Sequence, residues 1–400
     1  MKDSDIVVTG IGTISPYGMG TKIFWNGLRN GENAIRDVKK MDLEKNYVHK
    51  GGEITWYNPE EFFSKRELNH MDINSQYGIL AVEEAKKNAN IDKFPEMTGV
   101  FMGTLTAGLP FTEIYYENLL KNIHTPRYIT QCFRSSLADN ISKKYEITGP
   151  KITITTACSA SAQALATGAQ YLEKNKIDMA IVAGVDAFCK ITWSGFSALR
   201  ALSSTEIAPF SSTRNGTQIG EGGGCLILER YKSARERNAY IYATIEGWGA
   251  SSDAHHITAP NPSGVTESLA MIKAIKKSGL STEQIDVIAA HGTGTKLNDE
   301  METRAIKNAL GDCYKKPIVT SIKSMIGHTM GAAGIHLAIA SIGMMKDGLV
   351  YPTINYRGVD DNCDLSIAAN NAFEKNVKNV MINAFGFGGN NASAILKKVG

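Results

Sequence analysis

The stretch KITITTACSASAQALATGAQYL, Lys151 to Leu172, decides the fold around which the rest of the chain is arranged. Its first residues carry β-branched side chains from Ile152 to Thr156, a pattern that predicts a strand. A sharp corner follows at Ala157-Cys158-Ser159, and the small and unbranched residues from Ser161 to Glu173 predict a buried helix. Cys158 therefore stands at a helix N-terminus, where unpaired N–H groups and the positive dipole end favour a thiolate.

The length and composition are those of a large globular protein without an extreme charge. The 400 residues exceed one ordinary core and predict two domains or one doubled architecture. The net charge of +3 gives no sign of nucleic-acid wrapping. Six cysteines are widely spaced without a C-x-x-C pair. This spacing argues against a zinc site and a disulfide framework, and favours a reducing compartment.

The N-terminus and the hydropathy pattern indicate a cytoplasmic protein. The opening residues MKDSDIVVTGIG place acids before the apolar run, which is typical of a first strand and not of a signal peptide. No uncharged run of about 18 apolar residues occurs, so we expect no membrane span.

The order of predicted elements in the first half of the chain returns in the second half. In each half an amphipathic helix precedes a short apolar strand, and a small-residue helix and another strand follow. This echo predicts two similar α/β halves packed as one body, residues 1–240 with Cys158 and residues 241–400. The matched elements are helices 76–90 and 268–278, strands 99–102 and 285–290, the helices beginning at Ser161 and Gly327, and strands 179–183 and 380–384. Two tracts, 104–148 and 190–224, are predicted to be irregular.

Further polar residues stand at the ends of predicted strands, where active-site residues of α/β sheets collect. His291 opens HGTGTKLNDEMET, and His328 follows Lys323 by five residues at a predicted helix start. NAFGFGGNNAS near the C-terminus is a predicted glycine-rich loop with Phe385 and Phe387. A lone cysteine is commonly an inert core residue, but a thiolate with two histidines indicates nucleophilic catalysis on a thioester or carbonyl. A hydrolase needs one such histidine; the second, with Lys323, fits a reaction that stabilises an enolate.

The four motifs TTACSASAQA, AHGTGT, SIKSMIGHTMGAAG and NAFGFGG together resemble those of the β-ketoacyl-acyl-carrier-protein synthases, condensing enzymes of the thiolase superfamily. The resemblance runs from the first strand to the last loop. It implies a duplicated, five-layered αβαβα thiolase fold, usually dimeric, and decarboxylative condensation of a malonyl thioester with an acyl chain. It also implies substrates held on the phosphopantetheine of an acyl carrier protein, with no cofactor and no metal.

The resemblance assigns roles to the reactive residues. Cys158 resembles the nucleophile that takes the acyl chain from the carrier. His291 and His328 resemble the pair that assist decarboxylation and polarise the malonyl carbonyl. Lys323 resembles the family's structural lysine, which orients the site together with Glu302.

The remaining site residues follow from the same resemblance. The backbone N–H groups of Cys158 and Phe387 are expected to form the oxyanion hole, with Phe387 also gating the acyl pocket. Thr293 and Thr295 are expected to hydrogen-bond the pantetheine arm. The other expected contributors are Asp299, which supports the site beside Glu302, and Thr258 and Phe385, which bind substrate.

Departures from the family pattern narrow the type. The C-terminal loop lacks the second catalytic cysteine of thiolases, and His328 is present where initiating enzymes carry Asn. Elongating fatty-acid enzymes usually read GTSTP and then Gly-Asp, whereas this chain reads GTGTK and then Leu297-Asn298-Asp299. That sequence is more like polyketide and polyene ketosynthases. We therefore expect a discrete polyketide or polyene ketosynthase, with housekeeping fatty-acid elongation as the alternative.

Two rivals and the partners remain open. A non-catalytic chain-length-factor-like subunit usually lacks the nucleophile, so Cys158 argues against that rival, although such a subunit could complete a heterodimer in place of a homodimer. A hydrolase would cleave a thioester without forming a carbon–carbon bond. Binding of an acidic carrier protein is expected at local basic side chains: Lys65, Arg66, Arg200 and Arg214.

Overall fold

The computed structural model describes residues 1–400, and one eleven-stranded sheet runs through its centre. Ten strands form a continuous path, and the two-residue strand Gly18–Met19 pairs with the end of the first. In chain order these ten are β1 Ile6–Ser15, β2 Thr98–Gly103, β3 Lys151–Ile154, β4 Met179–Asp186, β5 Gly222–Arg230, β6 Ala243–Ser252, β7 Val287–Ala289, β8 Ile318–Thr320, β9 Asn379–Gly386 and β10 Asn390–Lys397.

The strand order shows the duplication that the sequence echo predicts. Along the sheet the strands lie in the order β8-β7-β9-β10-β6-β1-β5-β4-β2-β3. Within each half, the order from the outer edge is therefore third, second, fourth, fifth and first strand. β2 is parallel to β3 and β4, as β7 is to β8 and β9, and the other pairs are antiparallel. The two halves meet where Val7 and Val8 of β1 pair with Thr244 and Ala243 of β6.

Twelve α-helices accompany the sheet. They are α1 Thr21–Arg29, α2 Lys65–Leu68, α3 Ile73–Asn88, α4 Leu109–Leu120, α5 Ser136–Lys144, α6 Ala160–Glu173, α7 Lys190–Ala198, α8 Tyr231–Glu236, α9 Val265–Ser278, α10 Lys296–Leu310, α11 Lys323–Ile326 and α12 Ala333–Asp347. None of them is long and apolar enough to cross a membrane.

Three large hydrophobic cores lie between five layers, and the largest of them packs against both sides of the middle layer. The largest core joins α6 and α12 to strands of both halves, so these helices form the middle layer. A second core packs α3 and α5 on the outer face of the first half, and a third packs α9 and α10 on the outer face of the second. In α12 every residue from Ala333 to Met345 is buried, as expected of a helix that is apolar on all sides. The predicted αβαβα thiolase fold is confirmed.

The two middle helices approach each other closely beside the Cys158 corner. A side chain at Gly334 of α12 would place its Cβ 2.6 Å from the backbone nitrogen of Ala162 in α6. The hydroxyl of Ser161 accepts a hydrogen bond from the N–H of Ile335 at 3.0 Å. Small residues at this crossing thus fix the start of α6 against α12.

The structure differs from the sequence-based expectation in four places. The segment 104–148, predicted to be irregular, contains α4 and α5, and the tract 190–224 begins with α7. The helix predicted from Gly327 begins at Ala333 after a short 3-10 turn. The glycine-rich C-terminal segment is a tight connection, 387–389, between β9 and β10.

Candidate active site

The corner before Cys158 is held in a strained conformation. After β3 the chain forms a 3-10 turn over Ala157–Ser159, and Ala157 has a φ of 50°. This left-handed region is unusual for a residue with a Cβ and costs energy. Gly386 lies against the corner, where a Cβ would be 2.9 Å from the carbonyl oxygen of Thr156 and 3.1 Å from the nitrogen of Cys158. The strained turn and the missing side chain let β9 approach the cysteine.

Three reactive side chains meet at this corner. The sulfur of Cys158 and ring nitrogens of His291 and His328 all lie within 4.8 Å of one another, and all three residues are buried. Nε2 of His328 is 3.0 Å from Sγ of Cys158. The two imidazole rings are 5.3 Å apart between centroids and nearly perpendicular, at 85°. The structure therefore brings together the cysteine and both histidines that the sequence singled out.

Hydrogen bonding defines the proton position on His328. Its Nδ1 accepts the backbone N–H of Met330 at 3.1 Å, so the neutral ring carries its proton on Nε2 and directs it at the sulfur. Burial lowers the pKa of His328 well below the usual range, and the charge of Lys323 acts in the same direction. Burial, Lys323 and His328 likewise lower the pKa of His291. Both imidazoles are neutral hydrogen-bond donors at physiological pH.

Backbone contacts hold His291 in place. Glu302 accepts the N–H groups of His291 and Gly292 at 2.9 and 2.7 Å, while the ammonium of Lys323 donates to the carbonyl oxygen of His291. Asn383 donates to the same carboxylate at 3.3 Å. Burial raises the pKa of Glu302 to about 7 and lowers the pKa of Lys323 to about 8. Lys323 and Glu302 therefore clamp the turn at His291 from both sides, while Nδ1 of that ring has no partner.

The thiol state of Cys158 differs from the expectation drawn from its place in the sequence. Complete burial raises the pKa of its thiol to about 12. The charge of Lys323 and the backbone N–H groups of Cys158 and Phe387 lower the pKa, but by less than burial raises it. A helix N-terminus alone does not offset the loss of hydration. The resting cysteine is therefore a thiol.

The same three residues have the composition of a partial metal site. Tetrahedral zinc holds its nitrogen and sulfur ligands about 3.5 Å apart, as bond lengths of 2.0–2.3 Å require. However, the Nε2 proton of His328 occupies the direction a metal would need, because Nδ1 is engaged by Met330. The hydrogen bonds favour an acid–base or electrostatic use of this cluster. The expected absence of a metal stays a prediction.

The cluster lies at the inner wall of a cavity of about 380 Å³. The other predicted substrate-binding residues also line this cavity: Thr258, Thr293, Thr295, Phe385 and Phe387. The hydroxyls of Thr293 and Thr295 are 2.9 Å apart. Asp299 is fully buried behind the wall, where it accepts the N–H groups of Phe210 and Gly294. It therefore shapes the cavity without facing it.

Two residues near the cluster were not identified from the sequence. The ring of Phe196 in α7 packs edge-on against His328, with centroids 6.3 Å apart, and tilts against Phe387 at 5.6 Å. Buried Asp186 accepts the backbone N–H of Gly331 and hydrogen bonds from Thr106, and so joins two turns behind the site. Asp186 lies three residues after the predicted strand 179–183, which was an available signal. Phe196 lies in a tract that was predicted to be irregular.

The structure rules out one of the four predicted carrier-binding residues, Arg214. Arg214 is buried and forms ion pairs with Asp360 at 2.7 Å and Glu300 at 3.1 Å. The interpretation of Arg214 as a docking residue is therefore wrong, since its charge is already paired inside the protein. Arg200 is exposed and lines the mouth of the cavity, and Lys65 and Arg66 are exposed on α2.

Comparison with known proteins is consistent with this geometry. The model of the β-ketoacyl synthase N-terminal domain matches residues 3–234, and that of the C-terminal domain matches residues 242–357. The chain is 36% identical to 3-oxoacyl-acyl-carrier-protein synthase 2 of Staphylococcus aureus (strain COL), with 98% of both chains covered.

Two solved structures share the whole fold. A structure titled "The ishigamide ketosynthase/chain length factor" superposes with a TM-score of 0.94 at 32% identity, covering 99% of both chains. A type II PKS acyl-carrier protein "in complex with its ketosynthase bound to the hexaketide" gives 0.90 at 29% identity, with the same coverage. Matches over both halves, around one cysteine and two histidines, identify the chain as a member of the β-ketoacyl synthase family.

Proposed function

We propose that this protein condenses a malonyl unit with an acyl chain held on Cys158, both delivered by an acyl carrier protein. The observation that carries the proposal is the convergence of one thiol and two neutral imidazole donors at the inner end of a cavity. A nucleophile and donors for a developing oxyanion are the groups that thioester exchange and enolate formation need.

In the first half-reaction, the Cys158 sulfur attacks the thioester carbonyl of the acyl carrier protein. The new carbon–sulfur bond replaces the bond to pantetheine, and the thiol proton ends on the departing pantetheine sulfur, so no net proton is consumed. The N–H groups of Cys158 and Phe387, which lower the pKa of the thiol, would bind the oxyanion of the tetrahedral intermediate.

In the second half-reaction, the malonyl thioester loses CO₂ and leaves an enolate. His291 and His328 would donate hydrogen bonds to its oxygen. Because both rings are neutral, they stabilise negative charge without protonating the carbanion carbon. That carbon attacks the acyl-Cys158 carbonyl, and the cysteine leaves and takes up one proton. Lys323 and Glu302 would act as positioning residues, since they contact the backbone at His291.

The cavity beyond the cluster would hold the pantetheine arm and the gate. Thr293 and Thr295 present hydroxyls along the wall, and Thr258 lines it from the loop after β6. Phe387, 36% exposed, stands between the cavity and solvent, and Phe385 lies 6.0 Å from the His291 ring. Asp299 would hold the turn at Gly294. We expect no resident cofactor, because the substrates bring their own phosphopantetheine.

We place the reaction in type II polyketide or polyene assembly, with fatty-acid elongation as the alternative. The GTGTK sequence supports the first pathway. Among the relatives, a ketosynthase from a structure titled as type II PKS is 29% identical, and a 3-oxoacyl-acyl-carrier-protein synthase 2 is 36% identical. Extension assays with acyl chains on purified carrier proteins from both pathway classes would separate the two: extension of polyketone or polyene chains supports the first, and extension of saturated chains alone supports the second.

The free edge of the sheet supports a dimer. β3 has a partner on one side only, and its residues Ile152 to Ile154 are half-exposed beside the nucleophile. Large apolar side chains on the neighbouring segment are also exposed: Tyr116, Leu120, Ile123, Ile129 and Phe133. An unpaired edge next to an apolar patch is a pairing surface. The occupant would be a second copy or a chain-length-factor-like homologue, and the solution mass alone and with the candidate partner distinguishes them.

Separating the two half-reactions tests the function. Cys158→Ala should abolish acyl transfer and condensation without unfolding the protein, and mass spectrometry should find the wild-type acyl adduct on Cys158. His291→Ala and His328→Ala should still accept an acyl group, at least in part. Both should lose malonyl decarboxylation by about 10² or more, the loss expected for an oxyanion donor. An adduct on Cys189 or Cys225, or thioester release without condensation in the wild type, would contradict the proposal.

A further inference from the structure

Two acidic side chains lie together in the wall of the substrate cavity, away from the reactive cluster. Asp253 is the first residue after β6, and Glu267 lies in the first turn of α9. Glu267 is fully buried, and Asp253 is 8% exposed. No lysine, arginine or histidine forms an ion pair with either carboxyl group. Oε1 of Glu267 is buried without a conventional donor.

Asp253 is the better satisfied of the two. Its Oδ1 accepts the side-chain amide of Asn391 at 2.6 Å and the hydroxyl of Thr266 at 2.8 Å. Its Oδ2 accepts the backbone N–H of Asn261 at 3.2 Å. These bonds close the loop 253–261 on itself and tie it to β10. Although burial opposes ionisation of Asp253, these hydrogen bonds hold its pKa below the usual range.

The same loop is bonded to the turn that carries Phe387. The N–H of Asp253 donates to the carbonyl oxygen of Gly389 at 3.0 Å, and the N–H of Gly388 donates to that of Ile257 at 2.8 Å. A Cβ at Gly389 would lie 2.6 Å from Cβ of Asp253, so the two segments touch at the backbone. The position of Asp253 thus determines the position of one face of the cavity.

Oδ1 of Asp253 and Oε2 of Glu267 lie 2.8 and 3.2 Å from the same hydroxyl oxygen, that of Thr266, so the two carboxyl groups are neighbours. Two neighbouring buried carboxyl groups without a cation cannot both be ionised at modest cost, so they share a proton. Burial raises the pKa of Glu267 to about 8, and the neighbouring Asp253 charge adds to that increase. Cations on the elements packed here bond elsewhere: Lys273 of α9 to the carbonyl of Ala250, and Arg304 of α10 to that of Pro262. The proton therefore resides on Glu267, with Asp253 as its acceptor.

We infer that Glu267 is a positioning residue of the substrate cavity: as a neutral carboxyl it donates to Asp253 and so fixes the loop 253–261 and the Phe387 turn. Glu267 does not touch the reacting atoms. Glu267 affects substrate binding through the loop and the turn. The inference therefore depends on the proposed function only for the choice of substrate in the assay. Above about pH 8, ionisation of Glu267 places two carboxylates side by side, and the loop loses its support.

The test compares Glu267→Ala and Glu267→Gln in the full-length protein, with KM for acyl- and malonyl-carrier protein measured from pH 6.5 to 9.5. The alanine variant loses a hydrogen bond to a charged group, so below about pH 8 its KM should be about tenfold or more above that of the wild type. Glutamine keeps a donor, so its KM near pH 7 should stay within about twofold of the wild type. The wild-type KM should rise above about pH 8, and the glutamine variant should lack that rise. Glu283→Gln, which removes an exposed carboxylate after α9, serves as the matched control.

A second measurement requires neither a folded alanine variant nor condensation activity of the protein. Difference infrared spectroscopy at pH 7 should show a protonated-carboxyl band that is absent in Glu267→Gln and present in Glu283→Gln. A wild-type KM for Glu267→Ala, an alkaline rise retained by Glu267→Gln, or absence of the band would each overturn the inference. A wild-type protein that shows the band but forms no carbon–carbon bond would refute the proposed function and leave the shared proton established.

Discussion

The immediate surroundings of Cys158 are hydrogen-bond donors and not bases. His328 directs its Nε2 proton at the sulfur, and the backbone N–H groups of Cys158 and Phe387 lower the pKa of the thiol. A cysteine–histidine ion pair, as in many cysteine hydrolases, would need an imidazolium, which burial and the charge of Lys323 disfavour here. The site is therefore built to accept negative charge when it develops, and not to hold a permanent thiolate.

This arrangement predicts how the reactivity of Cys158 depends on pH. With a thiol pKa of about 12, the thiolate fraction rises about tenfold for each pH unit across the working range. Alkylation by iodoacetamide should therefore accelerate by about that factor per unit from pH 7 to pH 9, without a plateau. The rate is measured by mass spectrometry of the Cys158 peptide. A rate that is flat over this range would show a preformed ion pair and contradict the assignment.

His328→Ala supplies the control for that profile. The substitution removes the Nε2–H donor to the sulfur, so the alkylation rate should fall at every pH while its slope is unchanged. The other cysteines of the chain do not affect this comparison, because the alkylation rate is measured only on the Cys158 peptide.

At the scale of elements, the strand, corner and helix around Cys158 were predictable because the information is local. Within Lys151–Leu172, β-branched residues are followed by a corner of small residues and then by a run of small and unbranched residues that favours a helix. By contrast, α4 and α7 were missed. α4 begins after Gly108 with Leu109-Pro110, and although proline is typical of a first turn, no side chain caps this helix and its first turn has no acidic residue. Only Phe111 of α4 is buried, and its ring packs against Tyr128 of the 3-10 segment that follows, a contact that the periodicity of the sequence does not show.

The crossing of α6 and α12 gives a test at this scale. Gly334→Ala places a Cβ 2.6 Å from the nitrogen of Ala162 and 3.0 Å from Oγ of Ser161, so the helices must separate. We expect a loss of about 1–3 kcal/mol in the free energy of unfolding, the usual cost of overpacking. Because α6 begins beside Cys158, acylation of the cysteine should slow as well. Denaturant unfolding and acyl transfer are measured together.

Gly195→Ala in α7 is the matched control for the crossing. No atom lies within 4 Å of the Cβ that this change adds, so stability should be unchanged or rise by up to about 1 kcal/mol. Equal stability of the Gly334 and Gly195 variants would mean that the two middle helices do not depend on close approach.

At the scale of the whole molecule, the two halves supply different parts of one site. The first half brings the nucleophile at the start of α6, and the second brings both histidines, Lys323 and Glu302. The sequence predicted this division because each motif sits at an element boundary, and the resemblance to β-ketoacyl synthases is confirmed. Arg214 shows the limit of such reasoning. Its place in the sequence does not reveal its ion-pair partners, and only the fold shows that Asp360 and Glu300 neutralise its charge.

The distribution of exposed charge leads to the last prediction. The net charge of +3 is too small to steer an acidic carrier protein, so docking must depend on local cations. Arg200 and Lys296 are exposed at the mouth of the cavity, where the carrier must deliver its arm, and Lys65 and Arg66 are exposed on α2. We expect Arg200→Glu with Lys296→Glu to raise KM for carrier-bound substrate, and Lys65→Glu with Arg66→Glu to act in the same direction.

Three comparisons make that expectation specific to docking. Turnover of a short pantetheine thioester should be unchanged by the Lys65 and Arg66 reversals, since that substrate does not reach α2. Lys232→Glu, an exposed reversal on α8, should leave both substrates unaffected. The wild-type KM for the carrier should climb with salt, because exposed charges are screened beyond about 8 Å at physiological ionic strength. If the reversals impair carrier-bound and free thioesters equally, these cations support the fold and the carrier binds elsewhere.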